Sequence, residues 1–212
     1  RLVKKKKKKK NRDKPEKKME AASVTASSLI RVAALSGSLR KSSYNRGLIR
    51  SDKQYVDQRP ADRVRRHLTV ATAEHGSGRR GSFPPAIEAF RQKILEADCI
   101  LFASPEYNYS MSAPLKNAVD WASRPPNVWA GKAAAIVSAG GGFGGRSQYH
   151  LRQVGVFLDL HFINKPEFFC MHSSLLQSLT VMANLIDEQA KERLKEVLLS
   201  LQALSLKLHR KQ

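Results

Sequence analysis

The chain has 212 residues, which suits one domain of ordinary size, and 42% of them are apolar, enough to bury a core. No stretch approaches the ~20 consecutive apolar residues of a membrane span, and the basic start lacks the apolar region of a secretory signal. The net charge of +20 suggests nucleic acid, but residues 1–18 alone supply +10 of it.

Residues 1–28 are predicted to form a disordered basic tail, because residues 1–18 contain twelve Lys or Arg and almost no apolar side chain. One interpretation is that the natural protein starts at Met19 and that the preceding stretch has no function. The alternatives are a basic arm for nucleic acid or membrane, or a tag or targeting segment. We expect residues 29–208 to form the folded domain.

The first elements in chain order are a strand and a helix. Residues 30–36, IRVAALS, are short, apolar and followed by Gly37, which is typical of a buried strand, and a helix is expected from about Ser43. Residues 51–82 are Arg-rich with weak periodicity. Within them, HLTVATA at 67–73 is a candidate short strand, so the second strand of the sheet is doubtful.

The remaining elements have clearer patterns. Apolar runs predict strands, and apolar residues at helical spacing predict helices, two of them with prolines at the start. The predicted order is helix 83–98, strand from Cys99, helix 112–123, strand 132–138, helix 146–160, strand 161–168 and a final helix through Leu194 and Leu208. Residues 169–183 have no clear role.

This alternation predicts an α/β fold, a doubly wound five-stranded parallel sheet with helices on both faces. Ligands of such sheets bind outside the carboxyl ends of the strands. Three loops of unusual composition each follow a predicted strand, so we expect them to converge at one edge of the sheet.

The first of these loops, SGSLRKSSYN, offers hydroxyls, a guanidinium and an amide just before a helix N-terminus. Free backbone N–H groups and the helix dipole favour an anion there. The loop lacks the GxxxxGK[ST] pattern of an ATP-binding loop and the spaced glycines of a dinucleotide fold, so a single phosphate such as that of FMN fits better. The alternative is an ordinary Ser- or Asn-capped helix.

The second loop, SPEYNYSMSAP, carries tyrosines that can pack on a flat heteroaromatic ring, or that simply cover the surface. The third, SAGGGFGG, lets backbone approach a ligand closely. Gly140, Gly142 and Gly145 match GxGxxG, with Asp159 at about the acidic offset. We reject NAD binding there because that fingerprint belongs to the first strand of a fold, and this is about the fourth.

Two cysteines, Cys99 and Cys170, lie far apart and lack the spacing of a metal or redox site. Cys99 lies in an apolar run and is interpreted as a buried structural thiol, and the compartment is expected to be reducing, hence the cytoplasm. His150 is interpreted as a surface or packed histidine, and no side-chain nucleophile or metal ion is expected to carry chemistry.

The motifs GSLRKSSYN, SPEYNYSMSAPLKNAVDW and GGGFGGRSQYHLRQ together resemble those of the NADPH-dependent FMN reductases and plant-type quinone reductases of the flavodoxin-like superfamily. The resemblance implies a flavodoxin-like three-layer sandwich that binds FMN non-covalently. It also implies hydride transfer from NADPH or NADH to FMN, then two-electron reduction of a quinone by a ping-pong mechanism. Family members are dimers or tetramers, so a homo-oligomer is expected.

The resemblance also implies site residues. The phosphate of FMN would be held by Ser38, Arg40, Ser43 and Asn45. The ribityl chain and ring would be lined by Pro105, Glu106, Tyr107, Asn108 and Tyr109, and covered by Ser138, Gly140, Gly141, Gly142 and Phe143. Arg146 and Tyr149 would contact the nicotinamide nucleotide or another subunit.

Residues 51–81 and 169–183 depart abruptly from the family pattern, which suggests frameshifted or mis-spliced translation. Alternatives to the enzyme are therefore a damaged inactive paralogue and a non-catalytic flavodoxin-like binding protein, although electron carriers are typically acidic. A basic nucleic-acid binding protein is a further alternative, but no aromatic–basic motif supports it, and nucleic acid is not expected as a partner.

Overall fold

A computed structural model describes residues 30–56, 64–70, 83–141, 144–171 and 185–210. The basic tail predicted for residues 1–28 lies outside them. None of the helices in this part of the chain has the length and apolar character that crossing a membrane requires.

Strands and helices alternate through most of the chain. The strands are β1 Ile30–Ser36, β2 Val64–Val70, β3 Cys99–Ala103, β4 Glu106–Tyr107, β5 Ser110–Met111, β6 Ala133–Gly140, β7 His161–Phe162 and β8 Phe168–Met171. The helices are α1 Tyr44–Val56, α2 Pro85–Glu96, α3 Ala113–Ser123, α4 Gly145–Phe157 and α5 Glu188–His209.

The main sheet has the order β2-β1-β3-β6, with β7 and β8 both paired to the outer edge of β6, and every pair in it is parallel. With β7 and β8 sharing the fifth position, this is the 2-1-3-4-5 order of flavodoxin-like folds. The predicted doubly wound parallel sheet is therefore confirmed. The short strands β4 and β5 form a separate antiparallel hairpin.

The doubt about the second strand was unfounded. Strand β2 pairs with β1 along its whole length, from Val64 opposite Ile30 to Val70 opposite Ser36. It starts three residues earlier than the predicted strand at 67–73, whose last three residues lie outside the described part. Because Arg65 and Arg66 interrupt the apolar alternation, the pattern concealed the start of this strand.

The fifth strand, predicted as one segment over 161–168, is split in two. Its ends pair with β6 at Ala134 and Val137, while the chain between Phe162 and Phe168 leaves the ladder. Pro166 lies in this gap and has no N–H to donate to a neighbouring strand. Strand β8 then continues to Met171, so the segment 169–183, which departs from the family pattern, begins inside a strand.

The two cores lie on opposite faces of the sheet. In β3, Cys99 and Leu101 belong to the core beneath α1 and α5, while Ile100 and Phe102 belong to the core beneath α2, α3 and α4. All five residues of β3 are buried, as expected for a central parallel strand covered on both faces. The carboxyl ends of β1, β3 and β6 therefore lie side by side at one edge.

Candidate functional site

A cavity of about 190 Å³ lies at the carboxyl ends of β1, β3 and β6, where the three predicted loops converge. Eight predicted site residues line it, namely Ser38, Arg40, Asn45, Pro105, Glu106, Tyr107, Gly140 and Gly141. Tyr44 and Ala139 also line it and were not predicted. Each directly adjoins a predicted residue, in the first turn of α1 and at the end of β6 respectively.

The other predicted cofactor-binding residues fall into two groups. Ser43, Asn108, Tyr109 and Ser138 do not line this cavity, and Gly142 and Phe143 lie outside the described residues.

The first loop presents an anion site at the N-terminus of α1. The hydroxyl of Ser43 accepts a hydrogen bond from the backbone N–H of Arg46 at 3.3 Å and so caps the helix. The Ser38 hydroxyl is buried and has no hydrogen-bond partner among the described residues. Because a buried hydroxyl without a partner is costly, an acceptor such as a phosphate oxygen would satisfy it. Arg40 lies exposed at the same cavity and can add positive charge.

Asn45 joins the first loop to the third. Its side-chain amide donates to the carbonyl of Ala139 at 2.8 Å and accepts from the Ala139 N–H at 3.1 Å. The side chain is almost fully buried. Its established contact is therefore with the end of β6, and its predicted contact with phosphate stays a prediction.

The first and second loops touch at Gly37. An added Cβ there would lie 2.7 Å from the Ser112 hydroxyl and 2.9 Å from Cδ of Pro105, so only glycine fits. The Ser112 hydroxyl donates to the Gly37 carbonyl at 2.6 Å. This contact was not predicted, although a glycine at the end of a strand, Gly37, indicates a close approach of backbone.

The second loop forms a tight hairpin from β4 and β5. Its two central residues, Asn108 and Tyr109, have φ values of 49° and 63°, as a two-residue type I′ turn requires. Tyr109 is 66% exposed, and the guanidinium of Arg146 stacks 4.0 Å from its ring centroid. Tyr107 faces the cavity instead and is half exposed.

The third loop lines the cavity with glycine backbone that carries no side chains. An added Cβ at Gly140 or Gly141 would meet no described atom within 4 Å, so packing within the described chain does not account for these glycines. Open space at both positions suits a ligand lying against the backbone.

The Ser138 side chain does not line the cavity, and the prediction that this residue helps to cover a ring stays a prediction. The side chain is fully buried, and its hydroxyl bonds to the side-chain amide of Gln148 at 3.1 Å. Gly144, with φ of 75°, packs directly over it, since a Cβ there would lie 2.3 Å from that of Ser138. The sequence does not reveal that the alternation of β6 directs this hydroxyl under α4.

Glu106 connects the second loop to the N-terminus of α4. Its carboxylate accepts from the backbone N–H groups of Arg146 at 2.9 Å and Ser147 at 3.4 Å. Those N–H groups would have to bind pyrophosphate if the GxGxxG match were functional. In this structure both N–H groups are already bonded to the Glu106 carboxylate, and the rejection of NAD binding by this motif stays a prediction.

The three other residues considered at α4 lie on its exposed side. Arg146 and Tyr149 are largely exposed. His150 is also exposed and shares a 2.9 Å hydrogen bond with the Ser110 hydroxyl, in agreement with its interpretation as a surface histidine.

The positive charge of α1 is concentrated near its first two turns. Burial, followed by the nearby charge of Arg46, lowers the pKa of Arg50 from its usual value. The arrangement of a buried hydroxyl without a partner among the described residues, a helix N-terminus, the guanidinium of Arg40 and open glycine backbone fits the phosphate and flat ring of FMN.

Comparisons with known proteins identify the family. The model of the family described as NADPH-dependent FMN reductase matches residues 30–173. An NADPH:quinone oxidoreductase of Arabidopsis thaliana is 60% identical over 196 residues, which cover 86% of this chain and 95% of the relative. An NAD(P)H:quinone oxidoreductase of Solanum tuberosum is 57% identical, covering 87% and 97% respectively.

A solved structure gives the same result. FerB of Paracoccus denitrificans, described as a flavoenzyme NAD(P)H:(acceptor) oxidoreductase, has a TM-score of 0.67 and 25% identity, covering 82% of this chain and 96% of its own. Taken with the fold and the cavity, these matches show that the chain belongs to the NADPH-dependent FMN reductase family.

Proposed function

We propose that this chain is an FMN-dependent oxidoreductase that uses NADPH or NADH to reduce a quinone by two electrons. The observation that carries the proposal is the cavity where three loops converge, with a buried Ser38 hydroxyl lacking a partner on one side and open glycine backbone on the other. The names of the Arabidopsis and Solanum relatives support the quinone as acceptor.

The proposed roles follow the placement of the residues. Ser38, Arg40 and the N-terminal N–H groups of α1 would hold the phosphate, with Asn45 bracing this loop against β6. The ribityl chain and ring would lie between Pro105, Glu106 and Tyr107 on one side and the backbone of Gly140 and Gly141 on the other. Gly142 and Phe143 of the same loop are also proposed to bind FMN.

The protein's share of the chemistry is to position the reactants. Bound FMN supplies hydride acceptance from NAD(P)H and two-electron delivery to a quinone. Backbone N–H groups of the second and third loops would face the polar edge of the ring and favour its reduced form. We propose that the nicotinamide and the quinone occupy the same face of the site in turn, which gives a ping-pong mechanism.

Steady-state kinetics of the FMN-loaded protein test this function. Oxidation of NADPH should require a quinone, and double-reciprocal plots at several quinone concentrations should be parallel. Intersecting lines would contradict shared occupancy. Folded, FMN-loaded protein that oxidises neither NADPH nor NADH would support the non-catalytic or damaged alternatives instead.

The finer expectations of assembly and location are also proposals. A homo-oligomer, a dimer or a tetramer, is supported by Val156 and Phe157 at the end of α4, which are 76% and 90% exposed. The cytoplasm is supported by Cys99 and Cys170, which are buried and not joined in a disulfide. A fluorescent fusion that accumulates in another compartment would contradict the cytoplasmic location.

A further inference from the structure

Helix α4 begins without a cap of its own. Its N-cap residue is Gly144, which has no side chain to bond the free N–H groups of the first turn. Glycine is required there, because φ is 75° and a Cβ would overlap Ser138. The packing of the third loop therefore prevents α4 from using the serine, threonine or aspartate cap that most helices use.

Glu106 supplies the missing cap from a different part of the chain. Its Oε2 accepts from the N–H groups of Arg146 and Ser147, the second and third residues of α4, which are the groups that a local cap would bond. The carboxylate is well buried, with 12% of the side chain exposed, and also carries the negative charge that a helix N-terminus favours.

The same helix holds the β4–β5 hairpin, residues 106–111, at two further points. The guanidinium of Arg146 stacks on Tyr109 and lies 3.5 Å from Oε1 of Glu106. One turn further along α4, His150 bonds the Ser110 hydroxyl. The hairpin and the third loop form two walls of the same cavity, and Glu106 joins them.

We propose that Glu106 is a positioning residue, which fixes the β4–β5 hairpin to the N-terminus of α4 and so sets the spacing between two walls of the flavin cavity. The inference rests on the proposed function for its link to FMN. Capping of α4 by Glu106 does not depend on that link. Preorganised walls bind a ligand more tightly than walls that must order on binding.

Three variants separate the effect of the Glu106 hydrogen bonds from the effect of its charge and from a general loss of stability. Glu106→Ala removes both the acceptor and the charge. Glu106→Gln keeps an oxygen that can accept from the Arg146 and Ser147 N–H groups but removes the charge. Asp187→Ala is the matched control, because Asp187 caps α5 by accepting from the Ala190 N–H at 2.6 Å and does not line the cavity.

The first measurement is amide hydrogen exchange of the FMN-free proteins. In Glu106→Ala, the amides of Arg146 and Ser147 and those of the hairpin should exchange faster, by about tenfold or more, while α5 is unchanged. Glu106→Gln should keep most of the protection. Because no flavin is present, this result stands whether or not the wild type binds FMN, whereas a wild type that binds none would contradict the proposed function.

The second measurement is the dissociation constant and midpoint potential of FMN. Glu106→Ala should weaken FMN binding about five- to tenfold, Glu106→Gln less, and Asp187→Ala not at all. Both Glu106 variants should make the midpoint potential more positive, since a negative charge beside the ring disfavours adding electrons.

Three results would overturn the proposal. Wild-type exchange at Arg146 and Ser147 in Glu106→Ala would show that the cap is not needed. Weaker FMN binding without faster exchange would mean that Glu106 acts only by touching FMN. Equal loss of FMN binding in Asp187→Ala would trace the effect to general stability. Should Glu106→Ala fail to fold, Glu106→Asp decides, because its carboxylate is one methylene shorter and cannot reach α4 from the same backbone position. Faster exchange of the Arg146 and Ser147 amides supports the proposal, and wild-type exchange overturns it.

Discussion

At the scale of single residues, the Ser38 hydroxyl is the most informative atom of the site. It is buried without a partner among the described residues, so it costs stability while nothing is bound. We predict that Ser38→Ala leaves the thermal stability of the FMN-free protein equal or higher but weakens FMN binding by roughly fivefold. Calorimetry and fluorescence titration measure the two effects.

Ser123→Ala is the control for this prediction, because its hydroxyl donates to the carbonyl of Asp120 on α3, away from the cavity. That variant should leave FMN affinity unchanged. If Ser38→Ala binds FMN as tightly as the wild type, Ser38 does not hold the phosphate.

Lys132 is expected to make the stability of the fold depend on pH, with a direction that follows from its surroundings. Its ammonium donates to the carbonyls of Leu95 and Ala97, and burial lowers its pKa below the usual 10.5. The folded state therefore binds this proton less tightly than the unfolded state. Charged Lys132 therefore lowers the free energy of unfolding. This destabilisation is complete below the pKa of Lys132 in the folded state and disappears as the pH rises towards 10.5.

We therefore expect the wild type to gain stability relative to Lys132→Met as the pH is raised towards that value. Urea unfolding at a series of alkaline pH values measures the difference. A difference that stays constant, or that moves in favour of Lys132→Met, would contradict the assigned sign.

The sequence was sufficient to predict which loops line the cavity. It was not sufficient to predict which hydrogen bonds the individual side chains make. Clustered Ser, Arg, Tyr and Gly after three strands located the cavity, since parallel strands end at one edge. The bonds made by Asn45, Glu106 and Ser138 could not be predicted, because they depend on the direction of a side chain relative to a helix distant in the sequence.

At the scale of elements, the packing of α4 on β7 depends on one glycine. A Cβ at Gly155 would lie 2.1 Å from Cε2 of Phe162, so the helix could not approach the strand as closely. We predict that Gly155→Ala destabilises the fold by about 1–3 kcal/mol. Urea unfolding followed by circular dichroism measures this.

Gly145→Ala on the same helix is the matched control, because its Cβ would meet Phe169 only at an ordinary 3.9 Å. It should be neutral or slightly stabilising, since alanine favours helix. Shortening the obstructing ring with Phe162→Leu should recover part of the lost stability. Equal effects of the two alanines would contradict the proposed clash.

Elements with strong periodicity were predicted well, and the edges of the sheet were not. The central strands β1, β3 and β6 are mostly apolar and, apart from Arg31 at the start of β1 and Gly140 at the end of β6, buried, which their composition predicted. At the edges, β2 contains adjacent arginines and the fifth position is divided around Pro166, so pairing with a neighbour, rather than local pattern, determines where these strands lie.

At the scale of the whole molecule, assembly can be tested at the end of α4. Exposed Phe157 should be buried by a second copy if the protein is a homo-oligomer, because burying a large aromatic side chain is favourable. We predict a dimer or tetramer by light scattering, and a shift towards smaller species in Phe157→Ser. A monomeric wild type would contradict the proposal, as would a variant of unchanged size.

The contribution of the basic N-terminal stretch to nucleic-acid binding can be tested by comparing the full chain with a chain that lacks residues 1–18. Half of the net +20 belongs to residues 1–18, so any binding to nucleic acid should be lost when these residues are removed. Intact-mass analysis of the natural protein would test the frameshifted or mis-spliced translation suggested for residues 51–81 and 169–183. A peptide map whose masses match this sequence across both segments would contradict it.

The central claim is that three loops from separate parts of the chain form one FMN site that NADPH can reduce. The most direct test is an anaerobic titration of the full chain, first with FMN and then with NADPH, followed by its visible spectrum. We expect uptake of one FMN per chain, loss of the flavin colour with NADPH and its return when a quinone is added. Folded protein that takes up no FMN would contradict it.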